Sequence, residues 1–401
     1  MKNKCKIYWL LKIITNLIFI FSLAIPFLFI EKSNNNIDVD KSLSKEKQEE
    51  MRAIWVSYMD LNMNGTDYSE NAFKEKFDKV VEDSKNLKIN TLIVQVRPFS
   101  DSLYKSKIFP WSHIVSLNQG KDPGYDPLKY MIDCAHKNNL KIHAWVNPLR
   151  IQKNNQPKNF SENNPFLKFH NNMVVDYTSE KYYNPGYKEI RELIINGIKE
   201  IILNYDVDGI QLDDYFYPKE KNDFDTICYN EYSKTVNITS TLPINEWRIS
   251  NINSLIAGIY SAIKSNKPEV LFGISPEGNI QNDISIGANV YDWCKFSGYI
   301  DYICPQLYFN FENPVLPFKS AVAEWKKVVQ NKNIKLYYGL GVYKAGSEVD
   351  KGTWKKSNKI LMEQINYARE TGCDGFMLFS YEYINKPQTE NEIKNVMKVF
   401  N

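Results

Sequence analysis

Eight short apolar segments, rich in β-branched residues, alternate along the chain with eight longer segments in which apolar residues recur at helical spacing. The predicted strands lie near 53–59, 91–98, 141–148, 209–215, 271–276, 302–308, 335–342 and 375–380, and the predicted helices near 70–87, 127–139, 187–205, 246–265, 287–297, 318–331, 356–371 and 389–400. Such alternation favours an α/β fold, the (β/α)8 TIM barrel. A doubly wound open sheet is the alternative, but no glycine-rich phosphate-binding motif follows an early strand. We therefore predict the barrel.

A barrel also predicts where functional side chains lie, because TIM-barrel enzymes carry them at the carboxyl ends of the strands and in the loops that follow. Six of the eight predicted strands run from apolar into polar or aromatic residues at that end. The candidate site residues there are Arg97, Asp101, Trp145, Asn147, Gln211, Asp213, Asp214, Tyr215, Glu277, Gln306, Tyr308 and Tyr381. We expect one active site at this face of the barrel.

The consecutive carboxylates Asp213 and Asp214 are the most informative of these candidates. Strand alternation would place Gln211 and Asp213 on one face and Asp214 on the other, so that one acid points into the barrel mouth. Two carboxylates without basic neighbours raise each other's pKa, which suits proton transfer. We interpret Asp213 as the leading catalytic residue. The structural alternative is that Asp214 caps a helical turn and Asp213 accepts a hydrogen bond from a loop.

Glu277 directly follows the fifth predicted strand and is the next candidate acid. Hydrolysis of a glycosidic bond requires one acid for the leaving oxygen and a second carboxylate that acts as base or nucleophile. Asp213 or Asp214, together with Glu277, could provide that catalytic pair. The alternative is that Glu277 is a solvated loop residue.

The remaining candidates would hold a substrate. Arg97 and Asp101 either form an ion pair that braces the site or bind substrate hydroxyls. The aromatic rings either stack on a sugar or belong to the core; they are those of Trp145, Tyr215, Tyr308 and Tyr381. The amides predicted to bind substrate are those of Asn147, Gln211 and Gln306.

The distribution of charge argues against nucleic acid as a partner. The formal net charge is +3, but the first 30 residues hold four lysines and no acid, which leaves −1 on residues 31–401. That part of the chain has no stripe of Lys and Arg. The four histidines lack metal-ligand spacing, and the six cysteines include no C-x-x-C motif. We therefore expect no metal and no cofactor, and cysteines that are buried free thiols.

The amino-terminal 30 residues have the pattern of a membrane-targeting segment. Lysines precede an 18-residue apolar run at 13–30, which at about 1.5 Å per residue nearly spans the ~30 Å hydrocarbon layer. A positive flank on this side predicts that the body is exported. We predict an uncleaved anchor helix in 1–30 that contacts the cytoplasmic membrane through residues 7–30. The alternatives are a cleaved signal peptide, which would release a secreted protein, and a buried helix.

The polar segment 31–50 offers almost nothing to bury, so it predicts a flexible linker. The barrel domain is then expected to occupy residues 51–401. This organisation places the barrel outside the cytoplasmic membrane.

The motifs of the predicted barrel resemble those of glycosyl-hydrolase-like family 10, a family of bacterial envelope proteins. The matching segments keep their order from residue 51 to about 382. They read RAIWV at 52–56, QVRP at 95–98, DSLY at 101–104, PWS at 110–112, PGYDPL at 123–128, AWVNP at 144–148, DGIQLDDY at 208–215, ISP at 274–276 and DYICPQLY at 301–308. It is the ordered set, rather than any single motif, that indicates membership.

The resemblance implies a (β/α)8 fold in an exported, often membrane-tethered protein that hydrolyses glycan. For a characterised branch of the family, it implies peptidoglycan strands without their stem peptides as the substrate. Asp213 and Asp214 fall on the family's Asp-Asp pair. The residues that fall on its polar positions are Arg97, Asp101, Asn147, Gln306 and Tyr308.

These observations together predict a surface-anchored glycoside hydrolase that acts on the glycan strands of the cell wall. A barrel that has lost catalysis and only binds glycan is the alternative, since one fold supports many functions. A pure binding protein would need the aromatic residues but not the pair Asp213 and Asp214. An exported amidase or esterase is disfavoured, because the chain lacks the nucleophile and metal motifs of those enzymes.

Overall fold

Eight parallel strands form a closed barrel in the computed structural model, which describes residues 49–169, 172–177, 179–218, 223–236 and 240–400. The strands are β1 (Met51–Val56), β2 (Thr91–Arg97), β3 (Lys141–Val146), β7 (Gly209–Leu212), β8 (Leu271–Ile274), β9 (Tyr302–Ile303), β10 (Lys335–Gly341) and β11 (Gly375–Phe379). They pair in this order, and β11 closes the ring by pairing with β1. The predicted (β/α)8 barrel is confirmed.

Helices follow the strands and cover the outside of the barrel. They are α1 (Tyr58–Leu61), α2 (Glu70–Asn86), α3 (Pro127–Lys137), α4 (Lys188–Asn204), α5 (Thr226–Thr235), α6 (Ile244–Asn266), α7 (Ile280–Ser285), α8 (Val290–Lys295), α9 (Phe318–Val328), α10 (Ile360–Glu370) and α11 (Glu390–Val399). In α2 the helical spacing of Phe73, Phe77 and Val80 buries one face against the barrel. The side chain of Ser69 caps the first turn of this helix by accepting from the N–H of Ala72.

Alternate residues of the strands separate into two buried clusters, as a period of two requires. Ile54 and Val56 of β1 belong to the cluster between the strands and the helices. Trp55 belongs to the cluster that fills the inside of the barrel, together with Trp145 and Tyr302. The interior is therefore packed with large rings, and the polar groups of some of these rings face the carboxyl ends of the strands.

Several strands end earlier than the sequence pattern predicts. β2, β3, β8 and β9 stop one or two residues before a proline, and these prolines are Pro98, Pro148, Pro276 and Pro305. Proline has no N–H to donate to a neighbouring strand, so regular pairing stops there. The polar residues at these positions consequently belong to loops at the mouth of the barrel.

A small antiparallel sheet between β3 and α4 is absent from the sequence prediction. Its strands are β4 (Arg150–Gln152), β5 (Val174–Tyr177) and β6 (Glu180–Tyr183), in the order β4-β6-β5. Strands of three or four residues give too short a pattern to detect. Because this sheet follows β3, it lies at the carboxyl-terminal face of the barrel, where the candidate residues collect. Helices α1, α5 and α7 were also not predicted.

The predicted anchor at 1–30 lies outside the described residues, as does the predicted linker apart from its last two residues. Among the residues that are described, no helix is both long enough and apolar enough to cross a membrane. The five cysteines in this part of the chain are free thiols, and three of them, Cys228, Cys294 and Cys304, are buried.

Candidate active site

A cavity of about 480 Å³ opens at the carboxyl ends of the barrel strands, and we call it the cleft. It is lined by Trp55, Ser57, Tyr58, Met59, Gln95, Trp145, Arg150, Lys153, Asn154, Asp213, Asp214, Tyr215, Ser275, Gln306, Tyr308, Tyr343 and Phe379. These residues come from most of the barrel strands or the loops that follow them. Six of the sequence candidates are brought together here: Trp145, Asp213, Asp214, Tyr215, Gln306 and Tyr308.

Asp213 is the most deeply placed acid of the cleft, with only 4% of its surface exposed. Its Oδ2 accepts a hydrogen bond from Nε1 of Trp145 at 2.9 Å and another from Nδ2 of Asn147. Its Oδ1 accepts from the backbone N–H of Tyr215 at 3.3 Å. Three donors therefore fix the carboxyl group of Asp213 in one orientation.

The environment of Asp213 raises its pKa from 3.8 to about 7. Burial is the largest cause, because it disfavours the charged form, and repulsion from the carboxylate of Asp214 adds to it. Arg150 and the hydrogen bonds from Trp145 and Tyr215 act in the opposite direction. Arg150 is a basic neighbour that the sequence prediction did not place beside the acid pair. A carboxyl group with this pKa can give or take a proton near neutral pH.

Two further side chains orient the amide of Asn147 toward Asp213. Gln95 donates to Oδ1 of Asn147, and Nη2 of Arg150 donates to the same oxygen at 3.0 Å. With two donors on its oxygen, Asn147 must direct its NH2 group at Asp213. Arg150 itself is held by Nε, which donates to the carbonyl of Pro98 at 3.0 Å. The sequence prediction did not include Gln95 or Arg150, although both stand in the strand-end motifs.

Asp214 also lines the cleft, which differs from the expectation that strand alternation would turn it away. The reason is that β7 ends at Leu212, so alternation does not extend to Asp214. Nε2 of Gln306 donates to Oδ1 of Asp214 at 3.0 Å and also contacts the carbonyl of Ser275 at 3.1 Å. Both carboxylates therefore face the same space.

Aromatic rings form one wall of the cleft. Tyr308 stacks on Phe379 with ring centroids 5.5 Å apart, and Tyr343 and Trp55 pack edge-on against Phe379 at 6.0 and 5.8 Å. Such contacts hold the rings rigidly and leave an apolar surface that suits the C–H face of a sugar. The sequence prediction included Tyr308 but not Trp55, Tyr343 or Phe379.

Tyr215 stands on another side of the cleft and is 36% exposed. The guanidinium of Arg150 lies 5.0 Å from the centre of its ring, and the ammonium of Lys153 lies 5.1 Å from it. These cation–π contacts position the ring beside the acid pair.

Gln211 lies below the cleft, inside the barrel, and does not contact the cavity. Its Oε1 accepts from Nε1 of Trp55 at 2.5 Å, and its Nε2 lies 3.3 Å from the hydroxyl of Tyr302. That hydroxyl lies 2.9 Å from Nδ1 of His143. Because burial lowers the pKa of His143 to about 4, its ring is neutral and Nδ1 can accept from Tyr302. This series of hydrogen bonds inside the barrel holds the indole of Trp55 in position.

The ring of Tyr302 also requires a glycine on the neighbouring strand. A Cβ at Gly273 would lie 2.1 Å from that ring, so no larger residue fits at this position.

Arg97 and Asp101 are buried beside the loop after β2 and do not line the cleft. The guanidinium of Arg97 lies 4.4 Å from the ring centre of Phe109. Oδ2 of Asp101 lies 3.2 Å from Nδ1 of His113 and accepts from Nε2 of Gln119 at 3.0 Å. Both Arg97 and Asp101 are described residues, and no salt bridge joins them.

Glu277 and Tyr381 also lie outside the cleft lining. Oε2 of Glu277 accepts from Nδ2 of Asn282 at 2.6 Å. The hydroxyl of Tyr381 donates to Oδ2 of Asp83 on α2 at 2.9 Å. The structure therefore brings Asp213 and Asp214 together without Glu277. Within the described part of the chain, no group of three or more His, Cys, Asp or Glu side chains is placed to hold a metal ion.

Comparison with known proteins identifies one matching family and two proteins of similar sequence. The family model described as "Glycosyl hydrolase-like 10" matches residues 50–356. "Glycosyl hydrolase YngK" of Bacillus subtilis (strain 168) is 35% identical over 376 residues, which cover 87% of this chain and 72% of that protein. "Glycosyl hydrolase DigH" of Escherichia coli (strain K12) is 31% identical over 391 residues, which cover 87% of each protein.

Solved structures with a similar fold are distant in sequence. The glycoside hydrolase domain of PgaB (BpsB) from Bordetella bronchiseptica has a TM-score of 0.56 at 11% identity, with 87% of this chain and 99% of that chain covered. A group IV chitinase of Ostrinia furnacalis has a TM-score of 0.52 at 12% identity, with 88% and 99% covered. At these identities the likeness concerns the fold.

Proposed function

The chain belongs to the glycosyl hydrolase-like 10 family, and from this premise we propose that it cleaves glycosidic bonds in cell-wall glycan. The substrate we propose is peptidoglycan strands that lack stem peptides. One observation carries the proposal: a buried carboxyl group with a pKa of about 7, that of Asp213, beside a second carboxylate in an aromatic-walled cleft. Glycoside hydrolysis needs this combination of a proton donor, a second carboxylate and a surface for sugar rings.

Asp213 is the proposed proton donor. At and below neutral pH a large fraction of its carboxyl groups carry a proton, which can pass to the oxygen of the leaving sugar. Trp145 and Asn147 fix the position of the carboxyl group, so little reorganisation is needed when the proton moves.

Asp214 is the proposed second carboxylate. It lines the same cavity as Asp213, whereas Glu277 does not. Its negative charge would stabilise the positive charge that develops on the sugar in an oxocarbenium-like transition state. As base or nucleophile it would also serve the addition of water to the sugar carbon, while the leaving sugar departs with the proton from Asp213. Gln306 holds one of its oxygens in place.

For the location of the protein we propose a membrane anchor in residues 1–30 and a linker in 31–50 that lets the barrel reach nearby wall. The lysine-flanked apolar run supports this proposal. Fractionation of cells that express the full chain should recover it with the membrane, and deletion of residues 1–30 should abolish its export.

The activity is tested with the full-length protein in mild detergent, incubated with intact peptidoglycan and with peptide-stripped glycan strands. New reducing ends are followed by mass spectrometry for the wild type, Asp213→Asn and Asp133→Asn. Asp133 is an exposed carboxylate on α3 and provides a matched control. We expect wild type and Asp133→Asn to release fragments from stripped strands and Asp213→Asn to release almost none. Full activity of Asp213→Asn would contradict the proposal, and binding of strands without release would favour a glycan-binding barrel.

A further inference from the structure

A second cavity, of about 240 Å³, adjoins the cleft. Lys153, Asp214 and Tyr215 line both cavities, so the two cavities adjoin at Asp214, whereas Asp213 lines only the cleft. The remaining lining of the second cavity includes Glu180 and Glu277. The second cavity therefore lies next to the cleft, on the side of Asp214 and Tyr215.

The small antiparallel sheet builds one side of the second cavity. Glu180 and Tyr182 belong to β6, and Lys153 directly follows β4. The hydroxyl of Tyr182 donates to Oε2 of Glu180, and Nζ of Lys153 lies 3.9 Å from Oε1 of the same residue. Tyr182 is paired across the sheet with Arg150, which orients Asn147 in the cleft. The second cavity is thus built on the framework that also holds Asp213.

We propose that the second cavity is a subsite for the sugar unit on the far side of the bond that is cut. This inference rests on the proposed glycoside hydrolase function. The acid that protonates the glycosidic oxygen must lie beside that oxygen; Asp213 lines the cleft, and the next residue, Asp214, lines both cavities. A chain that crosses this junction places one sugar in the cleft and the next in the second cavity. The smaller volume suits a single sugar ring.

The charges of the second cavity select the kind of sugar. Three carboxyl side chains line it, those of Asp214, Glu180 and Glu277, against one ammonium group, that of Lys153. A sugar that carries its own carboxylate would be repelled there. The subsite therefore takes a neutral sugar, of the N-acetylglucosamine type, whose hydroxyl groups can donate to the carboxylates. In this arrangement Glu277, predicted as a catalytic acid, binds substrate.

The inference is tested with two substrates, peptide-stripped glycan strands and an aryl glycoside of the same glycan unit. The strand fills both cavities with sugar, whereas the aryl glycoside has no sugar for the second cavity. We compare the full-length wild type with Glu180→Gln and Tyr182→Phe, which alter the second cavity. Asp176→Asn is the matched control, since Asp176 is an exposed carboxylate on the same small sheet.

Glu180→Gln should lower kcat/KM on strands about tenfold, the effect of weakening a hydrogen bond to a charged group, and lower it much less on the aryl glycoside. Tyr182→Phe should act in the same direction with a smaller change, and Asp176→Asn should behave as wild type. An equal loss on both substrates, or no loss on strands in either variant, would overturn the subsite and leave the hydrolase proposal standing. A wild type that cleaves neither substrate would overturn both.

Discussion

Asp213 and Asp101 are two buried carboxylates at the carboxyl-terminal end of the barrel, and they are bonded alike but placed differently. In each, Oδ2 contacts the nitrogen atoms of two side chains. Asp213 opens onto the cleft and adjoins Asp214, whereas Asp101 is fully enclosed in the loop after β2. The two carboxyl groups therefore differ in access to a cavity rather than in local bonding, and we propose a catalytic role only for Asp213.

The largest effect expected from this comparison concerns catalysis. Asp213→Asn removes the proposed proton donor and should lower kcat by about 10²–10⁴-fold, the contribution of general acid catalysis. Steady-state kinetics on stripped strands would measure it, with Asp101→Asn assayed in parallel. If both variants lost kcat to the same extent, the proposed difference between the two carboxylates would be wrong.

The next effect concerns stability and its pH dependence. The pKa of Asp213 is higher in the folded protein than in the unfolded chain. Below about pH 4 the carboxyl group is neutral in both states, and its contribution to stability is fully present. As the pH rises toward about 7, the unfolded chain ionises first, so the free energy of unfolding falls.

Asp213→Asn carries no charge at this position, so its free energy of unfolding should rise relative to wild type across that pH range and then level off. Urea unfolding at several pH values would measure the difference. A difference that does not vary with pH would contradict the raised pKa.

The enclosed carboxylate should act on stability rather than on catalysis. Asp101→Ala leaves the polar groups of His113 and Gln119 without their acceptor, so the free energy of unfolding should fall by about 1–3 kcal/mol. Denaturant unfolding measures this change, and kcat of the folded fraction should fall far less than in Asp213→Asn. A large loss of kcat at unchanged stability would instead place Asp101 in the catalytic apparatus.

The smallest expected effect is a change in the pKa of Asp213. Nε1 of Trp145 donates to its carboxylate and so favours the charged form. Trp145→Phe removes this donor and should raise the pKa by about one unit or less. If Asp213 is the acid, wild-type kcat/KM should fall as the pH rises through about 7, and this limb should move to higher pH in the variant. A shift to lower pH would contradict the assigned hydrogen bond.

The fold could be predicted because its signal is local. Each strand and helix shows its period within a few consecutive residues, and eight alternations leave few topologies open. Several strand ends were predicted too far along the chain, because the prolines that stop pairing stand within the apolar segments themselves. The small sheet β4-β6-β5 was missed, because its strands of three or four residues are too short to show a period.

The candidate site could be predicted in part. Asp213, Asp214 and Gln306 line the cleft because strand ends of a barrel must meet at its mouth. The same argument also selected Arg97, Asp101 and Tyr381, which lie elsewhere, because it cannot tell which side chains of a strand end or loop turn toward the centre.

The barrel, the position of Asp213 at its mouth and the family of the chain follow from the sequence alone. The residues that surround Asp213, and the raised pKa that results from them, depend on how distant parts of the chain come together. The hydrogen bond between Trp55 and Gln211 joins residues 156 positions apart in the sequence, and that between Trp145 and Asp213 joins residues 68 positions apart. Burial and electrostatic neighbours depend on such distant pairs, which no local pattern records. The proton-donor chemistry proposed for Asp213 is therefore a property of the closed barrel rather than of its motif.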